Sequence, residues 1–301
     1  MAITVRTVRS DEDYAAWRQV RLAVVPGERA DSAADQRAQA GPRHQFLLAE
    51  VDGVLVGSGV VGQSDLASSG AVAARVLPGR RRQGAGTAIL RVLAERAAAM
   101  GFGVVGSNVE DPGSVRCAER YGFREVDREV EQVRAIGDEP APRVPDGVVI
   151  VPVAERPGLW RAAYQTVGAQ AFQDMATISP LDISLEQWER DWITDPGAMF
   201  VALAGADGEV IGCAGLRPDS DDPGRAEHAL TAVRRDWRRR GVAAALKRTS
   251  LAWAAAHGVR EVYTWTQRGN QDMRALNTHL GFVTRTESLS MRASLPLTGL
   301  S

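Results

Sequence analysis

The chain has little that would tie it to the cell exterior, a membrane or a polyanion. Its 301 residues include two cysteines, Cys117 and Cys213. They are too few for a disulfide framework and too isolated for a metal site, so a reducing compartment and no metal are expected. No apolar run approaches the roughly 20 residues that span a bilayer. Met1–Arg9 alternates Ile3, Val5 and Val8 with polar residues and lacks the apolar centre of a signal peptide, so the expected location is cytoplasmic, with no membrane partner. A formal net charge of −1 gives no global reason for a nucleic-acid partner. Two familiar phosphate motifs are also missing. Gly79 and Gly84 have P-loop spacing, but Ala85 stands where the lysine is required. Gly57, Gly59 and Gly62 match a dinucleotide fingerprint inside a strand-like run that no helix follows.

What the chain does have is a duplication. Arg81-Arg82-Gln83-Gly84-Ala85-Gly86 and Arg238-Arg239-Arg240-Gly241-Val242-Ala243 read Arg-x-x-Gly-x-Gly/Ala, and each leads into an alanine-rich helical stretch. An apolar run and a short helix follow, ending in Gly122-Phe123 and Gly281-Phe282. Gly84 and Gly241 lie 157 residues apart, and Gly122 and Gly281 lie 159 apart. Two landmarks at nearly one offset mean two whole domains, since the period is far too long for a solenoid. The hydrophobic content of 45% and charged content of 24% are those of a globular protein of two ordinary domains. Boundaries are expected at 1–137 and 147–301, joined by a linker at 138–146 that holds Pro140, Pro142 and Pro145.

Each half reads as strand, helices, three strands, helix, strand, helix, strand. In the first half these are Ile3–Arg9, a helix capped by Ser10, a weaker one around Ser32–Ala40, then Phe46–Val51 and Val54–Val61 about an Asp52-Gly53 hairpin turn. Ala71–Leu77, a helix over Gly84–Met100, Val104–Val109, Pro112–Tyr121 and Glu125–Val133 complete it. The second half gives Val148–Val153, helices Gly158–Ala171 and Ser184–Ile193, and Phe200–Leu203 turning at Ala206-Asp207-Gly208 into Val210–Leu216. Glu227–Val233, a helix to His257, Val262–Thr266, Asn270–Leu280 and Val283–Met291 follow. The fold class is α/β (α+β), a mixed, largely antiparallel sheet flanked by helices in each half. A strand ending in a glycine turn that starts a helix aims backbone N–H groups and the positive end of the helix dipole at one point, which suits a phosphate. The arginines add charge-assisted hydrogen bonds.

This order of strand, Arg-x-x-Gly-x-Gly/Ala, long helix, strand, short helix and Gly-Phe resembles the GNAT superfamily of N-acyltransferases, as a tandem over nearly the whole chain. The resemblance implies acetyl-CoA as co-substrate. Its pyrophosphate would be gripped by the loop (Val233, Arg238, Arg239, Arg240, Gly241, Val242 and Ala243), its pantetheine arm would meet Asn270, and the first half would offer Val76, Arg81, Gly84 and Gly86. Glu227 resembles the family's base. Asn277 takes the position where a tyrosine acid is usual, which puts that acid in doubt, and the run from Thr264 to Phe282 resembles a branch with asparagine there. In the first half Gly70, Asp111 and Ala118 take the places of Glu227, Asn270 and Asn277, so activity is expected in the second half, on a small-molecule amine, by direct attack. Mycothiol synthase, likewise a tandem of similar length with an active second half, is an alternative by layout, and a non-catalytic coenzyme A sensor or scaffold is another. A monomer acting as an intramolecular pseudo-dimer, or a homodimer, is expected.

Several residues carry a second reading. His228 should face away from Glu227, because strand side chains alternate. His279 reads as structural. Trp160, Trp188, Trp192, Phe172 and Met175 read as core ahead of acceptor wall, and both cysteines read as small buried apolar residues.

Overall fold

The computed structural model describes residues 2–27, 31–64, 69–174, 183–206 and 208–300. Met175 and Asp207 lie outside the described residues. The chain forms two compact units, Met1–Arg128 with Ser288–Ser301, and Glu129–Glu287. A cut in the Pro-rich segment and this division are different: each unit takes part of a strand from the other half of the chain.

The first unit contains β1 (Ile3–Thr7), α1 (Asp11–Val24), α2 (Ala33–Gln39), β2 (His44–Val51), β3 (Val54–Gln63), β4 (Gly70–Val76), α3 (Ala85–Ala99), β5 (Val104–Val109) and α4 (Pro112–Arg120). β1 to β4 pair antiparallel in order, and β4 pairs parallel with β5 only at Gly70↔Val105 and Ala71↔Gly106. On its far side β5 pairs with the end of the last strand, Leu289–Ser294. Ser10 and Ser32 close capping boxes with Asp13 and Asp35, which fixes where α1 and α2 begin. Asp52 and Gly53 both have positive φ, as a two-residue hairpin turn requires.

The fingerprint-like glycines of β3 have a packing role. A Cβ on Gly57 would stand 2.9 Å from Ile89 Cδ1, and one on Gly59 would stand 2.7 Å from Ile89 Cγ2. Their bare backbone therefore lets α3 lie close against the sheet.

The second unit begins within β6 (Arg124–Ala135) and continues through β7 (Val148–Pro152), α5 (Gly158–Ala163), α6 (Ala169–Asp174), α7 (Leu185–Asp191), β8 (Met199–Ala204), β9 (Val210–Pro218), β10 (Arg225–Val233), α8 (Val242–Ala256), β11 (Glu261–Gln267), α9 (Gln271–His279) and the start of β12 (Val283–Ser294). β7 to β10 pair antiparallel, and β11 pairs antiparallel with β6. β10 pairs parallel with β11 only from Arg225↔Glu261 to Glu227↔Tyr263. Each unit is thus a mixed, mostly antiparallel sheet with helices against it.

The single helix expected over Gly158–Ala171 is interrupted by a π-turn at Tyr164–Gly168. A Cβ on Gly168 would lie 3.2 Å from the Trp188 ring. Trp160 and Trp188 stack at 4.4 Å, both buried. Trp188 Nε1 donates to the Trp160 carbonyl at 3.0 Å and Trp160 Nε1 donates in return at 3.3 Å. Phe172 meets Trp188 edge-on at 5.7 Å, and the indole N–H groups are spent inside this core. Cys213 is buried as expected, its thiol pushed up to about 12 by burial, whereas Cys117 is exposed on α4. Its place on the solvent side of a short helix overrides the compositional preference for burial. Among the described residues no helix is long and apolar enough to cross a membrane.

Candidate functional site

Both arginine-glycine loops adopt one backbone conformation. Each follows its strand with a short 3-10 turn, Pro78–Arg80 or Arg235–Trp237. A left-handed arginine comes next, Arg82 at φ 67° or Arg239 at 62°, then a left-handed glycine N-cap, Gly84 at 85° or Gly241 at 83°. Glycine alone enters that region without penalty, and as N-cap it offers no side-chain acceptor, leaving the first helical N–H groups for a ligand. The first arginine of each motif folds back onto its own strand. Arg81 Nε donates to the Val76 carbonyl at 3.3 Å, and Arg238 Nε to the Val233 carbonyl at 3.1 Å. Arg238, Arg239 and Arg240 are exposed, Arg240 over the Trp237 ring, while Val242 is buried and anchors α8. Ala243 and Gly86 follow one residue on, where Gly86 leaves only 3.5 Å between an added Cβ and Val76 Cγ2.

In the second unit one carboxylate sits on this loop. Asp174, at the end of α6, pairs with both Arg235 and Arg238, which hold its carboxyl down at about 2. The sequence gives no sign of this pairing, because α6 and the loop are remote along the chain.

Beyond Glu227 and Tyr263 the parallel pairing stops, and β10 bulges between His228 and Leu230. Thr264 Oγ1 donates to the His228 carbonyl at 2.9 Å, so these two residues mark the apex of the gap between β10 and β11. The loop stands at the other end of β10. Strand alternation separates Glu227 from His228 as expected: Glu227 is half-buried and His228 is buried. Arg217, opposite Glu227 on β9, is its counter-ion at 3.9 Å. Arg217 was not singled out from sequence, since cross-strand register is needed to place it.

Asn270 is the N-cap of α9, its side chain accepting from Met273 N–H at 3.3 Å. Asn277 is wholly buried. Its Nδ2 donates to Gln132 Oε1 at 3.0 Å, and its Oδ1 has no partner. Gly281 ends α9 in the left-handed region, with Phe282 N–H donating to the Asn277 carbonyl at 3.0 Å. Gly122 and Phe123 end α4 in the same way, Phe123 N–H donating to Ala118. The Gly-Phe landmark is a helix stop followed by a buried ring. His279 is exposed in the last turn of α9.

On the face of the second unit's sheet that α8 covers lies a group the sequence analysis missed. Lys247 is buried, and burial pushes its ammonium down to about 7. A signal for it exists, because Lys247 falls in one helical stripe with Ser250, Leu251 and Ala254, all buried. His228 is fully buried too, with no partner at either ring nitrogen. Burial and the nearby Lys247 charge push it well below its ordinary value.

The first unit has different residues at the matching positions. Gly70 stands in Glu227's place, and a Cβ there would meet the Phe102 ring at 2.8 Å. Asp111 is spent capping α4 through Gly113 and Ser114 N–H. Ala118 stands in Asn277's place.

Comparison with known proteins accords with this arrangement. The model of the acetyltransferase (GNAT) family matches residues 11–123 and again 163–282. A mycothiol acetyltransferase of Kocuria rhizophila is 31% identical over 250 residues, which cover 78% of this chain and 80% of that protein. One from Thermomonospora curvata is 35% identical over 178 residues, so the chain spans about half that relative's length, 56%. Among solved structures, a tandem GNAT protein from the clavulanic acid biosynthesis pathway superposes with a TM-score of 0.78 at 19% identity, covering 97% of this chain and 98% of its own. A GCN5-related N-acetyltransferase from Sphaerobacter thermophilus gives 0.76 at 20% identity, covering 97% and 95%. With two family matches over most of its length and the same fold throughout, the chain belongs to the GNAT acetyltransferase family, as a tandem of two such domains.

Proposed function

We propose that the second unit is an acetyl-CoA-dependent N-acetyltransferase acting on the amine of a small molecule by direct attack, and that the first unit is catalytically silent. One observation carries the reading. The second unit alone combines the left-handed glycine N-cap with a half-buried carboxylate, Glu227, beside the apex of the β10–β11 gap. The residues present suit the donor. The N–H groups of Gly241, Val242 and Ala243 would hold the pyrophosphate with Arg235, Arg238, Arg239 or Arg240 alongside, and Asn270 would flank the arm that follows. When bound, the donor supplies an activated acetyl thioester.

Glu227 takes the proton that the acceptor amine must lose, directly or through water, while Arg217 keeps the carboxylate oriented. The N–H groups freed where β10 bulges beyond His228 polarise the carbonyl under attack. In the first unit Phe102 fills the corresponding space, which supports a silent role.

A second reading of the acceptor has its own support. The relatives matching over most of this chain are named mycothiol acetyltransferases, so the amine they acetylate heads any acceptor screen.

Calorimetric titration of acetyl-CoA tests the reading, with Gly241→Glu and Gly84→Glu in parallel. Saturable binding lost in Gly241→Glu and kept in Gly84→Glu is the expected result. Binding that survives Gly241→Glu moves the site to the first unit, and no binding to the unaltered protein removes the acyltransferase reading altogether.

A further inference from the structure

A charged side chain is almost never buried without a partner, because losing water costs far more than packing its stem returns. Lys247 breaks that rule in the second turn of α8. Loss of water is the sole cause of its lowered proton affinity, with no contribution from a carboxylate. Its ammonium lies 5.7 Å from the centre of the Phe282 ring. The Phe282 N–H is bonded to the Asn277 carbonyl, and the Asn277 Oδ1 is itself without a partner. On the sheet side stands His228, close enough for the lysine's charge to act on it, with both nitrogens unpartnered. A buried lysine, a histidine with two unpartnered nitrogens and an asparagine with an unpartnered oxygen thus sit on the elements that surround the parting of β10 and β11.

An acyl transfer must protonate or otherwise hold the departing sulfur, and Asn277 cannot donate an acidic proton. We propose that Lys247 is a catalytic residue of the second unit, its ammonium holding and protonating the sulfur of coenzyme A as it departs. The inference rests on the acyltransferase reading above. The topology is compatible: β10 runs from the His228–Thr264 apex to the Gly241 loop, and α8 returns from that loop over the same strand.

The proton balance is simple. The amine nitrogen forms a bond to the acetyl carbon as the carbon–sulfur bond breaks and its electron pair goes to sulfur. Lys247 gives its proton to that sulfur, the proton lost by the amine passes through Glu227 to water, and the neutral lysine is recharged from water. An acid that titrates close to neutrality suits this step better than an ordinary lysine. The titratable groups on the surrounding elements do not compete. His228 on β10 stays neutral, Glu227 faces Arg217, Glu131 on β6 is held by Arg285 at 2.7 Å, and Glu261 on β11 is shared by Arg225 and Arg285.

The test reads the ionisation of bound coenzyme A by ultraviolet thiolate absorbance across pH, and needs no acceptor. Bound to the unaltered protein, the thiol should ionise at a pH at least about one unit below that of free coenzyme A titrated alongside it. In Lys247→Met, which keeps the length of the stem, bound coenzyme A should lose that shift while its affinity through the phosphates changes less than about threefold. Lys247→Arg should retain the shift. A bound thiol that titrates at or above its free value in the unaltered protein overturns the proposal without recourse to any variant. The same shift in Lys247→Met overturns it too. Failure of coenzyme A to bind the unaltered protein sinks the acyltransferase reading itself, so the two failures are distinguishable.

Discussion

At the scale of single residues, Lys247 makes a demand on stability that a merely structural lysine would not. Its folded value of about 7 lies below the ordinary 10.5, so between those limits the unfolded chain binds a proton that the folded chain does not. Stability therefore rises with pH through that window, and the full cost is present below about pH 7. At about 1.4 kcal/mol per pKa unit the cost is on the order of 5 kcal/mol. Lys247→Met should raise stability at pH 7 by a few kcal/mol and flatten the slope between about pH 7 and 10.5, as followed by urea unfolding at several pH values. An unchanged slope would mean that the ammonium has an acceptor or water in the folded protein. A residue kept at such expense fits a functional site, where stability and activity commonly oppose one another. Sequence legibility at this scale is uneven. Gly84 and Gly241 are readable because their conformation excludes other residues, and the opposite burial of Glu227 and His228 is readable from strand alternation. Lys247 is not, because a lysine in a helix reads as a solvated one until the helix's buried stripe is known. The burial of Asn277 depends on Gln132, which lies 145 residues away in sequence.

The arginine-glycine loop shows what elements add to residues. Its backbone is legible from Arg-x-x-Gly-x-Gly/Ala, and both copies have the same left-handed positions. What cannot be read is its neighbour across the fold. α6 ends on Asp174, whose carboxylate occupies Arg235 and Arg238, two of the cations a pyrophosphate would use. The depressed carboxyl stays ionised through neutral pH. Its pairing is complete above about pH 4 and is lost only as pH falls through about 2, so the competition persists under ordinary conditions. Asp174→Asn should tighten coenzyme A binding by about three- to tenfold, since charge-assisted bonds to the arginines are then surrendered only to the ligand. Calorimetry at low and moderate salt measures this. Weaker binding in Asp174→Asn would instead make the carboxylate a group that orients the arginines. The π-turn at Tyr164–Gly168 escaped the sequence for a related reason: the apolar periodicity of Gly158–Ala171 is helical, and the stacked Trp160–Trp188 pair that Gly168 accommodates is assembled by α7.

At the scale of the whole chain, the duplication is legible but the division of the chain is not. Repeated motifs locate two domains, and Pro140, Pro142 and Pro145 suggest a cut between them. The compact units instead place Ser288–Ser301 with the first half and Glu129–Ala135 with the second. Strand pairing is made by backbone groups that carry no sequence label, so the owner of a terminal strand is invisible in the chain. The consequence is concrete. A fragment ending at Gly137 lacks the strand that pairs with β5, along with Met291 and Leu297, both buried in the first unit's core. A fragment starting at Gly147 lacks β6, the partner of β11, and with it the Gln132 bond to Asn277 and the Glu131 pair with Arg285. Each fragment would expose an unpaired strand edge and leave buried polar groups without partners, a combination that favours aggregation. Produced separately, the two fragments should be insoluble or rapidly digested by protease. Produced together, they should recover a protected complex. Independent, cooperative folding of either fragment, seen as sharp thermal unfolding and protease resistance, would show that the exchanged strands are dispensable and that a contiguous cut near the prolines is the better description.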